Sequence, residues 1–141
     1  MKVMVLIKAN EKSEAGVLPS EKLFTEMMAF NERLVKAGVM LAGEGLHASA
    51  KGRRVRFHNG KVTVLDGPFA ETKELLAGFW MWNVGSMEEA VEWVKQIPNP
   101  DNETDGEIEI RPVFEAGGCA EIPEDLREKE ERLRAEIVRK F

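Results

Sequence analysis

The sequence predicts an α+β domain with a split β-α-β-β-α-β order, the ferredoxin-like pattern, carrying an inserted β-hairpin and a C-terminal helix. Three observations predict it. Two amphipathic helical stripes each start at a serine cap. Four short strand-like runs flank them. An Asn59-Gly60 pair between alternating segments marks a tight hairpin.

Lys2 to Ala9 is a nearly continuous apolar run, as expected of a central strand covered on at least one face. Asn10 to Pro19 reads as a polar loop. Ser20 is a good N-cap for a helix over Glu21 to Lys36, with Glu21 near its positive end. Leu23, Met27, Phe30 and Leu34 form its apolar stripe, flanked by Phe24, Met28 and Val35; Gly38 closes it at C′. Val39 to Ala42 is the second strand, ending at Gly43-Glu44-Gly45, and a loop runs on through His47 and Ser49.

Arg53 to His58 and Lys61 to Leu65 pair across the type I′ signal at Asn59-Gly60. Ala77 to Val84 is the next strand, with Trp80 and Trp82 on one face and Phe79 and Met81 on the other. Ser86 and Glu89 make a capping box. Its helix runs to about Gln96 and offers Met87, Ala90, Val91 and Val94 to the core; Pro98 and Pro100 stop it. Glu107 to Phe114 is the last strand. Setting the Arg53–Leu65 hairpin aside leaves the split order.

Residues 116–141 differ. They read as a linker and a charged helix from Ile122 to Phe141, with Glu124 and Asp125 in the first turn. Leu126, Leu133 and Ile137 form a thin stripe flanked by Val138 and Phe141. Pairs such as Glu128–Arg132 and Glu130–Arg134 support the helix.

Bulk properties narrow the function. At 141 residues one domain is expected. A net charge of −5 argues against nucleic-acid binding. The Lys51–Arg56 basic run alternates with apolar residues and reads as a solvated strand face. The lone Cys119 excludes an intrachain disulfide and fits a reducing compartment. Lacking a signal-like start or a run of about 18 apolar residues, the chain reads as cytoplasmic, with no membrane partner. Two histidines without ligand spacing imply no metal, and no phosphate loop, dinucleotide fingerprint or nucleophile elbow implies a cofactor. Because Phe79 to Trp82 is bulky on both faces and only two helices are available to cover the sheet, a homodimer is expected.

The segment Leu65 to Leu75 stands out. It is longer than a hairpin connection needs and carries Asp66, Glu71, Lys73 and Glu74 around a Gly-Pro and an aromatic. Asp66-Gly67-Pro68-Phe69-Ala70-Glu71-Thr72-Lys73-Glu74 resembles the motif of the DGPF-domain branch of the YCII-related family. The resemblance extends through Ala42-Gly43-Glu44-Gly45-Leu46, Gly78-Phe79 and Glu109-Ile110-Arg111-Pro112-Val113, and covers roughly residues 1 to 115. It implies a ferredoxin-like domain over 1–115, paired into a dimeric α/β barrel. The wider family is associated with a His–Asp pair whose His lies on the first helix. This chain has no His there and offers Asn31 and Glu32 instead, which weakens that transfer.

Two readings of the segment stay open. Asp66 is a turn residue whose oxygens take local amides, or a carboxylate at a barrel mouth working with His47 as an acid–base pair. Phe69, Glu71, Lys73, Glu74 and Arg111 are candidate ligand-binding residues. Lys73 and Arg111 suit an anionic group on a small molecule; Glu71, Lys73 and Glu74 are equally a salt-bridged turn. His58, at the hairpin tip, reads as exposed. The chain is thus an acid–base enzyme acting on a small molecule in a barrel cavity, or a small-ligand-binding or regulatory module linked to transcription control.

Overall fold

The computed structural model describes residues 1–140. Strand β1 is Lys2–Lys8, β2 is Met40–Gly45, β3 Arg53–His58, β4 Lys61–Asp66, β5 Leu76–Asn83 and β6 Ile108–Pro112. The helices are α1 Glu11–Glu14, α2 Glu21–Lys36, α3 Met87–Val94 and α4 Glu124–Lys140. Phe141, read as flanking the α4 stripe, lies outside the described residues.

Among the described residues four strands form one antiparallel sheet in the order β2-β5-β1-β6, and β3 pairs only with β4. Central β1 is flanked by β5, with Val5 opposite Trp80, and by β6, with Val5 opposite Ile110. Alternation then sorts the side chains. Val3, Val5, Trp80 and Trp82 face α2 and α3 and are buried with Phe30, Leu34 and Ala90. The Phe30 ring meets Trp80 edge-on at 5.9 Å and Trp93 at 6.3 Å. Asn31 Oδ1 accepts the Trp80 Nε1–H at 2.9 Å, so this polar residue of α2 anchors a core tryptophan.

The helix signals act as their chemistry requires. The Ser20 hydroxyl accepts from the Leu23 amide, and Ser86 accepts from Glu89 while Glu89 returns to the Gly85 amide. Gly38 follows α2 at φ 73°, a left-handed position that suits glycine. The α2 stripe is narrower than its hydrophobic content: Leu23, Phe30 and Leu34 are buried, while Phe24, Met28 and Val35 are turned out to solvent. Val91 of α3, expected in the core, is exposed for the same rotational reason.

Several boundaries differ from the sequence reading. Met40–Gly45 carries the Gly43-Glu44-Gly45 segment inside β2 rather than after it. Gly43 permits this, because a Cβ there would sit 2.7 Å from the Trp80 ring. The polar stretch after β1 is not all loop. Asn10 caps the four-residue helix α1 and exchanges a reciprocal pair of hydrogen bonds with Ser13. Helix α3 ends at Val94, short of the expected Gln96. In α4, Arg134 reaches Glu130 at 2.7 Å, and Leu126, Leu133 and Ile137 remain exposed. No helix among the described residues is long and apolar enough to cross a membrane.

Candidate functional site

The Asn59-Gly60 turn, with φ of 48° and 75°, sets the hairpin register outward from His58–Lys61. Five steps later that register places Arg53 opposite Asp66. The Asp66 carboxylate accepts from Arg53 Nε at 2.9 Å, with most of the Asp66 side chain exposed. A surface pair of this kind orients more than it stabilises.

The turn that follows is held from outside. The Phe69 amide donates to Ser49 Oγ at 3.0 Å, so it does not bond Asp66 as a local turn would have it. Ser49 Oγ in turn donates to Glu14 at 2.5 Å, and the Ser49 amide donates to the other Glu14 oxygen at 3.0 Å. The Gly67 amide reaches the Gly52 carbonyl at 3.2 Å. Gly67 is tightly enclosed: a Cβ there would fall 1.8 Å from the Ser49 carbonyl oxygen. The Arg54 guanidinium lies 4.0 Å from the centre of the Phe69 ring. Three loops that end or begin β1, β2 and β4 are therefore stitched together at one end of the sheet.

His47 lies on one of these loops, exposed, two residues before Ser49. The Leu46 amide bonds the Ala77 carbonyl at 2.8 Å, which ties that loop to the start of β5. Glu71, Lys73 and Glu74 are exposed around a short 3-10 turn at Thr72–Glu74, and none of them forms an ion pair with another among the described residues. The structure thus brings the segments bearing Asp66, His47 and Phe69 together. Arg111 sits elsewhere. It is on β6, the sheet edge opposite to the β2 edge from which His47 emerges.

Arg111 belongs to a second constellation, on the sheet face that α2 and α3 leave uncovered. Met4 and Leu6 of β1 pair with Met81 and Phe79 of β5, and all four are half-buried without joining the core cluster. Beside them Glu109, opposite Leu6, accepts from Arg111 Nη1 at 3.1 Å and lies 3.4 Å from Lys8 Nζ. The Arg111 hydrogen bond, followed by that from Lys8, holds the Glu109 carboxyl below its ordinary value of 4.5. Two cations share one carboxylate, so this corner keeps one net positive charge beside apolar side chains. Lys8 lies opposite Leu76, next to the 72–74 turn, which joins the face to the loop cluster.

Sequence reasoning missed Glu14, Ser49, Arg53, Lys8 and Glu109. Only Arg53 and the Lys8–Glu109 neighbourhood carried a readable signal, through hairpin register and strand parity. Among the described residues no three His, Cys, Asp or Glu side chains converge as metal ligands. A cleft of about 480 Å³ opens between α2 and the loop after α3, lined by Lys22, Phe30, Arg33 and Gln96, away from the loop cluster.

These features define a small α+β protein with a ferredoxin-like antiparallel sheet, one helix-covered face, one open face and a motif-bearing loop cluster at the sheet end. The chain belongs to the YCII-related family, whose domain matches residues 1–116. It is similar to an uncharacterized protein of Rhizobium meliloti (strain 1021), 32% identical over 93 residues that make up 66% of this chain and 74% of that one. Among solved structures it aligns with 5-chloro-2-hydroxyhydroquinone dehydrochlorinase from Burkholderia phenoliruptrix AC1100, in complex with 2,5-dihydroxybenzoquinone. The TM-score is 0.46 with 14% identity, over 81% of this chain and 94% of that chain.

Proposed function

We propose that this member of the family belongs to its DGPF branch, a reading supported by the Asp66–Phe69 motif, and is a homodimeric small-molecule-binding protein of the cytoplasm. Two open sheet faces pair to enclose a site for a small organic anion with an apolar body. The observation that carries this reading is the open face itself. Met4, Leu6, Phe79 and Met81 supply an apolar floor, and the Lys8–Glu109–Arg111 corner supplies one uncompensated positive charge. An anion with an apolar body satisfies both, and burial between two faces strengthens the charge interaction. Residues 1–115 suffice for this site, and α4 is an extension of it.

The test is calorimetric titration with benzoate, against benzyl alcohol as a neutral control, together with sedimentation equilibrium. Dimeric protein that binds benzoate and loses roughly tenfold in affinity in Arg111→Ala supports the reading. A monomer at micromolar concentration, or equal response to both compounds, overturns it.

A second reading is favoured by one observation, the Ser49 link that packs the His47 loop against the Asp66 turn. At the rim of the enclosed site, His47 and Asp66 act as an acid–base pair, with Phe69, Glu71, Lys73 and Glu74 around them. Asp66→Asn and His47→Ala would then abolish turnover while leaving benzoate binding intact. Loss of binding in both variants would remove the catalytic assignment.

A further inference from the structure

The β3–β4 hairpin stands apart from the main sheet. Every residue of β3 is exposed, as is every residue of β4 except Leu65. Register places Val55 opposite Val64 and Phe57 opposite Val62, so four apolar side chains share one face. Phe57 is 77% exposed, Val64 62%, Val62 61% and Val55 52%. A two-stranded ribbon with an uncovered apolar face is marginal in water, and among the described residues this one is fastened at its base, through Phe69, Arg54 and Gly52.

Its charge is opposite to that of the body. Residues 51–66 hold Lys51, Arg53, Arg54, Arg56 and Lys61 against Asp66 alone, five cations less one carboxylate, or +4. With the whole chain at −5, the remainder carries −9. An apolar basic arm on an acidic body is complementary to a second acidic body of the same kind.

We infer that the hairpin is a dimerisation arm whose Val55, Phe57, Val62 and Val64 face is buried against a second copy of this chain. The four side chains expose roughly 400 Å², about half of the ~800 Å² that one partner contributes to a standard interface. Two reciprocal arms together with paired open faces reach the area of a stable dimer. The inference shares the homodimer with the proposed function but assigns a different contact surface. It also gives an apolar ribbon face that lacks cover within its own subunit a surface to pack against.

Photo-crosslinking of the full chain with benzoylphenylalanine in place of Phe57 tests it directly. A covalent dimer is expected on illumination; crosslinks confined to one chain, or none, overturn the inference. In parallel, sedimentation equilibrium compares Phe57→Asp with Phe79→Asp. Phe57→Asp should weaken self-association at least tenfold and leave the near-ultraviolet signal of the core tryptophans intact, since Phe57 touches no core residue. Association unchanged in Phe57→Asp but lost in Phe79→Asp overturns the arm and leaves the enclosed site standing. Association lost in Phe57→Asp but unchanged in Phe79→Asp supports the arm and removes the face-to-face pairing.

Discussion

Two antiparallel strand pairs in this chain have the same ladder and opposite energetics. The β1–β5 pair buries Val3, Val5, Trp80 and Trp82 beneath two helices. The β3–β4 pair buries almost nothing and owes its register to a left-handed Asn-Gly turn and one terminal ion pair. The first is held by what lies on its face, the second by what lies at its ends. The difference teaches where substitutions will be felt: on the face in one pair, at the base in the other.

The sharpest contrast is Trp82→Ala. Trp82 is fully buried, so truncation should cost about 3–5 kcal/mol, read as a lowered denaturation midpoint. A loss below about 1 kcal/mol would break the claim that face burial holds the main sheet. Next is Gly67→Ala, which drives a Cβ into the Ser49 carbonyl. The loop must detach, at roughly 2 kcal/mol, but opening of the hairpin base caps the cost below that of global unfolding. Faster amide exchange confined to residues 49–69 is the expected signature; uniform exchange across the main sheet would contradict it.

Ser49→Ala should cost about 1–2 kcal/mol, since it strands the Phe69 amide and removes one of the two hydrogen bonds to Glu14. Glu14→Gln, which keeps a shape able to accept, should cost less. A smaller effect still is expected with pH. Glu109 is depressed by Arg111 and Lys8, and Glu103 by hydrogen bonds from the Ser20 hydroxyl and then its amide. A depressed carboxyl stabilises the fold above its ordinary value of 4.5, and that contribution is lost as pH falls through the lower folded value. Glu109→Gln should therefore lower the melting temperature slightly near neutrality and flatten the acid limb, so that the two profiles converge at low pH. Last, Phe57→Ala should change the unfolding free energy of the dissociated subunit by less than about 0.5 kcal/mol. A larger cost would mean the ribbon is packed within its own subunit after all.

The fold was legible because its signals are local. Ser20, Gly38, Ser86 with Glu89, and Asn59-Gly60 each act within four residues of themselves, and strand parity sorted Trp80 and Trp82 from Phe79 and Met81. Helix α1 escaped because one capped turn has no stripe to reveal it. The candidate site was legible only as a location. The bonds that hold it join Ser49 to Glu14 and Ser49 to Phe69, across 35 and 20 residues, between polar side chains that any loop offers. Asp66 was read against its own neighbours, whereas its partner Arg53 lies across the ribbon, countable from the turn but not adjacent in sequence.

The central position of β1 also governs the order in which this protein can be made. Lys2–Lys8 leaves the ribosome before both of its flanking strands, Leu76–Asn83 and Ile108–Pro112. At roughly 5–20 residues per second, some 5–20 s pass between synthesis of β1 and of β6. Both edges of this apolar strand stay unpaired until β5 emerges, and one edge stays unpaired until β6 follows, exposed to the wrong partners. Nascent-chain aggregation should therefore fall once β6 has emerged.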